Sequence, residues 1–237
     1  MAIIKFTDTL GVPEDYAPKP ATASVPSWYK ELESYMGGEK RPAGDGNTTG
    51  TIKRCMPVFD AITGGYVLYT HADVFVSQKP DEQNEGKTVP WYEWPSYGPL
   101  GFHPVEQAPN HPNRNGHQTS YPKWINPWAI ETPKGYSVMF VQPMHRDSIF
   151  TILPGIVDTD TYNAPVNFPF VLNDVTFEGL IPAGTPMAQV IPIKRDAWKM
   201  EIGGDADRMA QGKTTNWLRT SFFDSYKNKF RAPKEYK

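Results

Sequence analysis

The chain has a single cysteine, Cys55, in 237 residues. No internal disulfide can staple it, so a reducing compartment is expected. No run approaches the roughly 18 apolar residues of a membrane span. Residues Met1-Ala2-Ile3-Ile4-Lys5-Phe6 lack the apolar stretch of a signal peptide. An excess of charge is missing too: 24 basic residues meet 26 acidic ones, a net charge of −2, which leaves no electrostatic footprint for nucleic acid or a membrane surface. The expectation is a cytoplasmic protein that works on neither. Long uninterrupted helices are also absent, because 24 Pro and 19 Gly (43 of 237 residues) punctuate the chain. That excludes helical bundles and coiled coils. What is present is 39% hydrophobic and 13% aromatic residues, enough for a core without staples. The class that remains is a β-rich protein with long ordered loops.

Residues 1–50 read as an extended arm with Pro13, Pro18 and Pro20, then a short helix at Trp28–Leu32 capped by Ser27 and closed by Gly37-Gly38. Ile52–Phe59 and Gly65–Tyr69 read as strands joined by a turn at Thr63-Gly64-Gly65, with Val74–Val76 continuing the sheet. Segment 80–133 holds ten of the 24 prolines, four of the seven tryptophans and three of the five histidines. It reads as an ordered insertion laid on the core by its aromatic rings, since a structureless loop of that length is improbable in a compact domain. Strands are expected at Tyr136–Val141, Ile149–Leu153, Val166–Leu172 and Met187–Ile193, with Gly or Asn-Asp turns between them. In the tail 195–237, Leu218, Phe222, Tyr226 and Phe230 are spaced four apart, an apolar helical stripe that Pro233 ends. No internal repeat is found.

Three segments occur in an order that points to a family. Thr132-Pro133-Lys134-Gly135-Tyr136 leads through a strand to Pro143-Met144-His145-Arg146-Asp147-Ser148; Gly155-Ile156-Val157-Asp158-Thr159-Asp160-Thr161-Tyr162 follows; Pro182-Ala183-Gly184-Thr185-Pro186-Met187-Ala188-Gln189-Val190 comes last. Residues 132–193 resemble the dUTP diphosphatase and dCTP deaminase superfamily. The resemblance implies an all-β, distorted jelly-roll or β-clip core over 51–194, interrupted by the Pro/Trp-rich insertion 80–133 and followed by a C-terminal helix, one compact domain overall. It implies Asp158 as the carboxylate that activates water, Asp160 as a metal or sugar ligand, Arg146 with His145 as the phosphate contact, Tyr162 as a stacking wall and Gln189 on the supporting strand. Mg²⁺ and a homotrimer with shared sites come with it. The whole chain also looks like proteins encoded by tailed phages and some bacteria, which would place it in a host cytoplasm or a virion.

The pattern departs from the family at several points. Asp147 stands where the family has a Ser facing phosphate. Thr161 is an extra residue before Tyr162, Ala164 replaces a Gly, and Val58-Phe59-Asp60-Ala61 is a poor counterpart of the family's first motif. A glycine-rich C-terminal arm is missing. The fold therefore need not carry the activity, and two function classes stay open. One is a protein that binds or hydrolyses a small molecule such as a deoxynucleotide. The other is a non-catalytic interaction or structural protein, with Trp91, Trp94, Trp124 and Trp128 as the candidate partner face.

Each constellation also has a plainer reading. Asp158 and Asp160, two apart, face one side of an extended strand and suit a metal or an activated water; turn chemistry at a strand end explains them equally simply. His145-Arg146 can bind an anion or pair with a neighbouring carboxylate. His71-Ala72-Asp73 is half of a two-His-one-carboxylate iron site, too short to carry that assignment. His103, His111 and His117 match no standard zinc spacing. Gly212-Lys213-Thr214 lacks the leading Gly of a phosphate-binding loop, since position 207 is Asp207. Cys55 beside Arg54 can be an activated thiolate, with a buried strand cysteine as the default.

Overall fold

The computed structural model describes residues 2–41, 49–82, 85–95, 98–109, 111, 120–220 and 224–237. His117, Tyr97 and Phe222, and the side chain of Leu218, lie outside the described residues. The described fold is mostly β, with fourteen strands in four antiparallel sheets, none closed into a barrel. None of the described helices is long and apolar enough to cross a membrane. The chain groups into two compact units, Met1–Ser24 with Gly65–Arg195, and Val25–Gly64 with Asp196–Lys237.

The first unit holds all the sheets. One has five strands: β2 (Lys19–Pro20), β3 (Tyr66–Tyr69), β9 (Tyr136–Val141), β11 (Gly155–Val157) and β14 (Pro186–Lys194), in the order β11-β9-β14-β3-β2. A second runs β10-β12-β7-β6, from β6 (Leu100–Pro104), β7 (Ser120–Trp124), β10 (Phe150–Ile152) and β12 (Phe168–Leu172). A third joins β4 (Val74–Asp81), β5 (Lys87–Glu93) and β13 (Gly179–Ile181) in the order β13-β4-β5; β1 (Lys5–Asp8) pairs with β8 (Trp128–Glu131). Strands expected at 65–69, 74–76, 136–141, 149–153, 166–172 and 187–193 all form to within a residue or two, because each is a β-branched or aromatic run bounded by turn residues.

Aromatic rings fill the core. Trp124 and Phe170 stack at 5.1 Å and 17°, and Phe150 packs on both at 5.2 Å. Each such ring contributes on the order of 2 kcal/mol by leaving water. Two glycines are required by geometry. A Cβ on Gly65 (φ +71°) would meet the Val190 carbonyl oxygen at 2.0 Å, so the β3–β14 approach demands its absence. Gly135 (φ +87°) closes the Pro133–Tyr136 turn, where the Tyr136 N–H donates to the Pro133 carbonyl at 3.1 Å.

Segment 80–133 is built differently from the insertion read in the sequence. It supplies β5, β6, β7 and β8, and β7 lies inside its sheet between β12 and β6. Its prolines mislead because Pro80, Pro90 and Pro104 sit on strand stretches bonded on one side only, where no second ladder N–H is needed. Trp124 and Trp128 are core residues and so cannot form the partner face expected of them, Trp94 packs partly buried against the core, and Trp91 is half exposed.

In the second unit the strand expected at Ile52–Phe59 is instead a 3₁₀ turn (Ile52–Arg54) followed by the helix α2 (Met56–Thr63). Pro57 in its first turn presets a helical φ, and the Thr63 hydroxyl donates to the Phe59 carbonyl one turn back at 2.7 Å. Cys55 is therefore exposed just before a helix, neither buried nor in a strand. The short helix near Trp28 is α1 (Ser27–Glu31), with Pro26 at the cap position and no side-chain cap bond from Ser27. The tail stripe is not one helix: α3 (Asp205–Thr220) and α4 (Ser225–Lys229) are separated by Asp224, at φ 61°. Phe230 meets the edge of Trp217 at 5.7 Å, while Tyr226 and Phe230 stay nearly half exposed. Asp60, nearly buried, accepts from Arg231 at 2.6 Å and from Lys234 at 2.7 Å, which hold its carboxyl below the usual range against the opposing effect of burial.

Candidate functional site

The sequence-predicted residues fall into two groups, at opposite ends of the β9–β14 ladder. At one end Ile193 opposes Ser137; at the other Gln189 opposes Val141. Four residues of extended strand separate the pairs by about 14 Å.

The first group contains Asp158 and Asp160, in the turn after β11, and a residue that the sequence reading missed, Arg195, immediately after β14. The Arg195 Nη1 atom donates to Asp160 Oδ1 at 2.9 Å and lies 3.0 Å from Asp158 Oδ1; its Nη2 donates to Asp160 Oδ2. Nη1 also reaches the Ser137 hydroxyl at 3.0 Å and the Tyr136 carbonyl at 3.1 Å. Asp160 accepts from the Gly135 N–H at 2.8 Å, and Asp158 accepts from the Ser137 hydroxyl at 2.6 Å. Asp160 has a side chain only 3% exposed, against 62% for Asp158. The hydrogen bond from Arg195, helped by that from the Gly135 N–H, holds the Asp160 carboxyl below its ordinary range. Ser137, then Arg195, does the same for Asp158. Beneath them the Thr132 and Thr159 hydroxyls meet at 2.7 Å in a buried bond.

This cluster locks three chain segments together: the Gly135 turn, the Asp158–Asp160 turn and the end of β14. The Asp158 carbonyl accepts the N–H groups of Thr161 at 3.1 Å and Tyr162 at 2.9 Å, so the extra Thr161 is spent on closing the turn. Tyr162 is half exposed. The signal that could have exposed Arg195 was its place: the first charged fork after a long apolar strand, next to a turn rich in carboxylates.

The second group is the loop after β9. Gln189, buried on β14, accepts the Met144 N–H at 3.0 Å, and Gln142 accepts the Ile152 N–H at 2.9 Å. These two glutamines fix the ends of the loop. His145, exposed, adopts φ 56°, and the kink turns Arg146 inward. Arg146 is half-buried and donates from Nη2 to the Ser24 hydroxyl at 3.1 Å. No carboxylate stands within ion-pair distance of it among the described residues. Burial lowers the Arg146 pKa, with nearby Tyr69 acting in the opposite sense. Asp147 is exposed.

The remaining candidates do not assemble. Asp73 accepts the Ala183 N–H at 2.7 Å, which makes it a turn residue. His71 is held below its ordinary pKa by burial, with Asp8 opposing. His103 bonds Gln107 at 2.6 Å through a ring nitrogen. Among the described residues there is no group of three or more His, Cys, Asp and Glu side chains placed to hold a metal ion. The helix carrying Gly212-Lys213-Thr214 runs through these residues without a loop.

The arrangement thus offers a saturated carboxylate–arginine clasp at one end of the ladder and, at the other, an arginine without a counter-ion among the described residues. Neither the protein-family models nor the curated proteins compared with this chain give a match.

Proposed function

We propose that the chain is a β-clip protein that binds a phosphorylated small molecule, a deoxynucleotide in the first instance, at the Arg146 loop without hydrolysing it. The observation that carries this reading is the unequal treatment of charge. A guanidinium withdrawn from water, with one hydroxyl as partner, is relieved by an anion, and its planar fork suits phosphate. Asp158 and Asp160 are committed to Arg195. A carboxylate bonded to a guanidinium and a hydroxyl is a weak base for activating water. Mg²⁺ has no place at the Asp pair in this reading, because the Arg195 guanidinium occupies Asp158 Oδ1 and both Asp160 oxygens and cancels one of their two charges.

The β-clip assignment rests on the resemblance over 132–193. It is supported by β9, β11 and β14 falling on the three resembling segments, and by antiparallel pairing throughout. Asp158 and the Arg146 loop leave from opposite ends of the β9–β14 ladder, so a site using both would draw them from different copies. A homotrimer remains the expected assembly, and analytical ultracentrifugation measures it. The cytoplasm is the proposed place of action, which suits an exposed, unbridged Cys55.

Calorimetric titration with a panel of deoxynucleoside mono- and triphosphates, with and without Mg²⁺, tests the reading. Saturable binding that disappears in Arg146→Met, with no phosphate or pyrophosphate released, supports it. Turnover overturns the non-hydrolytic half. No binding across the panel overturns the whole and leaves the interaction-protein reading, which co-purification of a partner would then establish.

A further inference from the structure

Residues 196–202, between β14 and α3, belong to none of the described strands or helices. Their side chains nevertheless alternate: Trp198, Met200 and Ile202 are apolar, and Lys199 and Glu201 between them are charged. The Lys199 ammonium donates to Glu201 at 2.8 Å, so residues two apart share a side, as on an extended chain. The segment is an amphipathic strand without a sheet. Its apolar side stands in water, with Trp198 89%, Met200 85% and Ile202 90% exposed. Exposed apolar residues are ordinary when scattered singly, and three in a row on one side mark a contact surface.

The outer face of the sheet β13-β4-β5 is the counterpart. Val74, Val76, Tyr92 and Ile181 are buried in the core, which puts Phe75, Leu180 and Trp91 on the opposite face. Leu180 pairs with Phe75 across β13 and β4, and Trp91 pairs with Ser77, two residues further along β4. All three are nearly half exposed. From Leu180 to Trp91 is two strand spacings and one two-residue step, about 12 Å. From Trp198 to Ile202 along an extended chain is about 13 Å.

We infer that residues 196–202 form an arm that docks across this face on a second copy of the chain. Trp198, Met200 and Ile202 lie on Phe75, Leu180 and Trp91, and Lys199 and Glu201 turn to water. Every copy carries both halves, matched in apolar character and in length, so two copies satisfy each other reciprocally or a ring closes. The area suffices. Each of the three arm side chains removes on the order of 150 Å² from water, and the face they cover loses a comparable amount. Two such contacts bury about 1,800 Å², the size of a stable specific interface. The arm acts in this way whether or not the Arg146 loop binds an anion.

Sedimentation of the full chain tests the inference. An oligomer is expected with a Kd on the order of 1 μM. Trp198→Ser combined with Ile202→Ser strips the arm, and Phe75→Glu spoils the face. Each should weaken self-association by at least about 100-fold, while Arg146→Met leaves the sedimenting mass unchanged. In a Cys55→Ser background, Met200→Cys with Leu180→Cys should form a disulfide between copies on oxidation, at least about tenfold above either cysteine alone. A parent chain that stays monomeric to about 100 μM overturns the inference and leaves the arm to a different partner. An oligomer that survives the stripped arm also overturns it, by placing the interface elsewhere. Full assembly of Phe75→Glu, with a melting curve matching the parent, or absence of the cross-link overturns the docking face.

Discussion

Arg195 and Arg146 belong to the two ends of one strand ladder and live under opposite conditions. Arg195 is partly exposed, yet it grips two carboxylates, a hydroxyl and a carbonyl. Arg146 is drawn further from water and is given one hydroxyl among the described residues. A fold that only needed to neutralise charge would do the reverse, because desolvation makes an unmatched charge costlier than an exposed one. The contrast separates architecture from binding. Saturated groups hold turns in place, and a withheld counter-ion marks where something from outside can supply it.

The largest effect that can break this contrast is at Asp160. Asp160→Asn removes the charge that the Arg195 fork grips and keeps an acceptor for the Gly135 N–H. Tm should fall by on the order of 5 °C, read by calorimetry or near-ultraviolet dichroism. An unchanged Tm would mean the clasp is ornamental and Asp160 is free for other chemistry. Acid provides a second reading of the same clasp. Asp158 and Asp160 are both held below their ordinary pKa, so they bind fewer protons folded than unfolded near pH 4. Their contribution is therefore complete above the unfolded value of about 3.9 and fades as pH falls through the lower folded values. The Tm gap between parent and Asp160→Asn should be constant from about pH 5 to 8 and shrink below about pH 4. A gap that widens in acid would reverse the assignment.

Arg146→Met sharpens the other end. Replacing a half-buried, thinly partnered guanidinium by an apolar chain of similar length should leave Tm within about 2 °C of the parent or above it, while phosphate binding is lost. A large drop in Tm would show that Arg146 is structural after all and would remove the main support for an anion site.

How much of this was legible beforehand differs between the two ends. The strand pattern from Tyr136 to Ile193 could be read because β-branched runs and turn glycines are local signals. Asp158, Asp160, Gln189 and Arg146 could be singled out because the three resembling segments carry them. The partners could not be read. Arg195 lies 35 residues from Asp160 and Ser24 lies 122 from Arg146, and no local pattern encodes which arginine will find a carboxylate. In segment 80–133 the order could be read from its aromatic rings, and the strand pairing could not. Its prolines look like loop punctuation until the pairing shows that they occupy strand stretches bonded on one side. Ile52–Phe59 has strand-like composition, but Pro57 in the first turn of α2 and an i−4 bond from Thr63 settle Met56 onward as a helix.

The finest test of the contrast is Asp158→Asn, because Asp158 belongs to the clasp by bonding and to the surface by exposure. Its side chain is 62% exposed, so water screens its attraction to Arg195. The amide retains an oxygen for the Ser137 hydroxyl, and Asp160 still grips the guanidinium from the buried side. Tm should therefore move by no more than about 1–2 °C, and deoxynucleotide binding at Arg146 should be unaffected. The two measurements separate three roles. A shift as large as that of Asp160→Asn would make the clasp a true triad in which neither carboxylate is spare. Loss of ligand affinity at unchanged Tm would put Asp158 against the ligand of a neighbouring copy, since Asp158 and the Arg146 loop leave from opposite ends of the β9–β14 ladder. No change in either leaves Asp158 as the turn residue its carbonyl already is, accepting from Thr161 and Tyr162, and confines ligand recognition to Arg146.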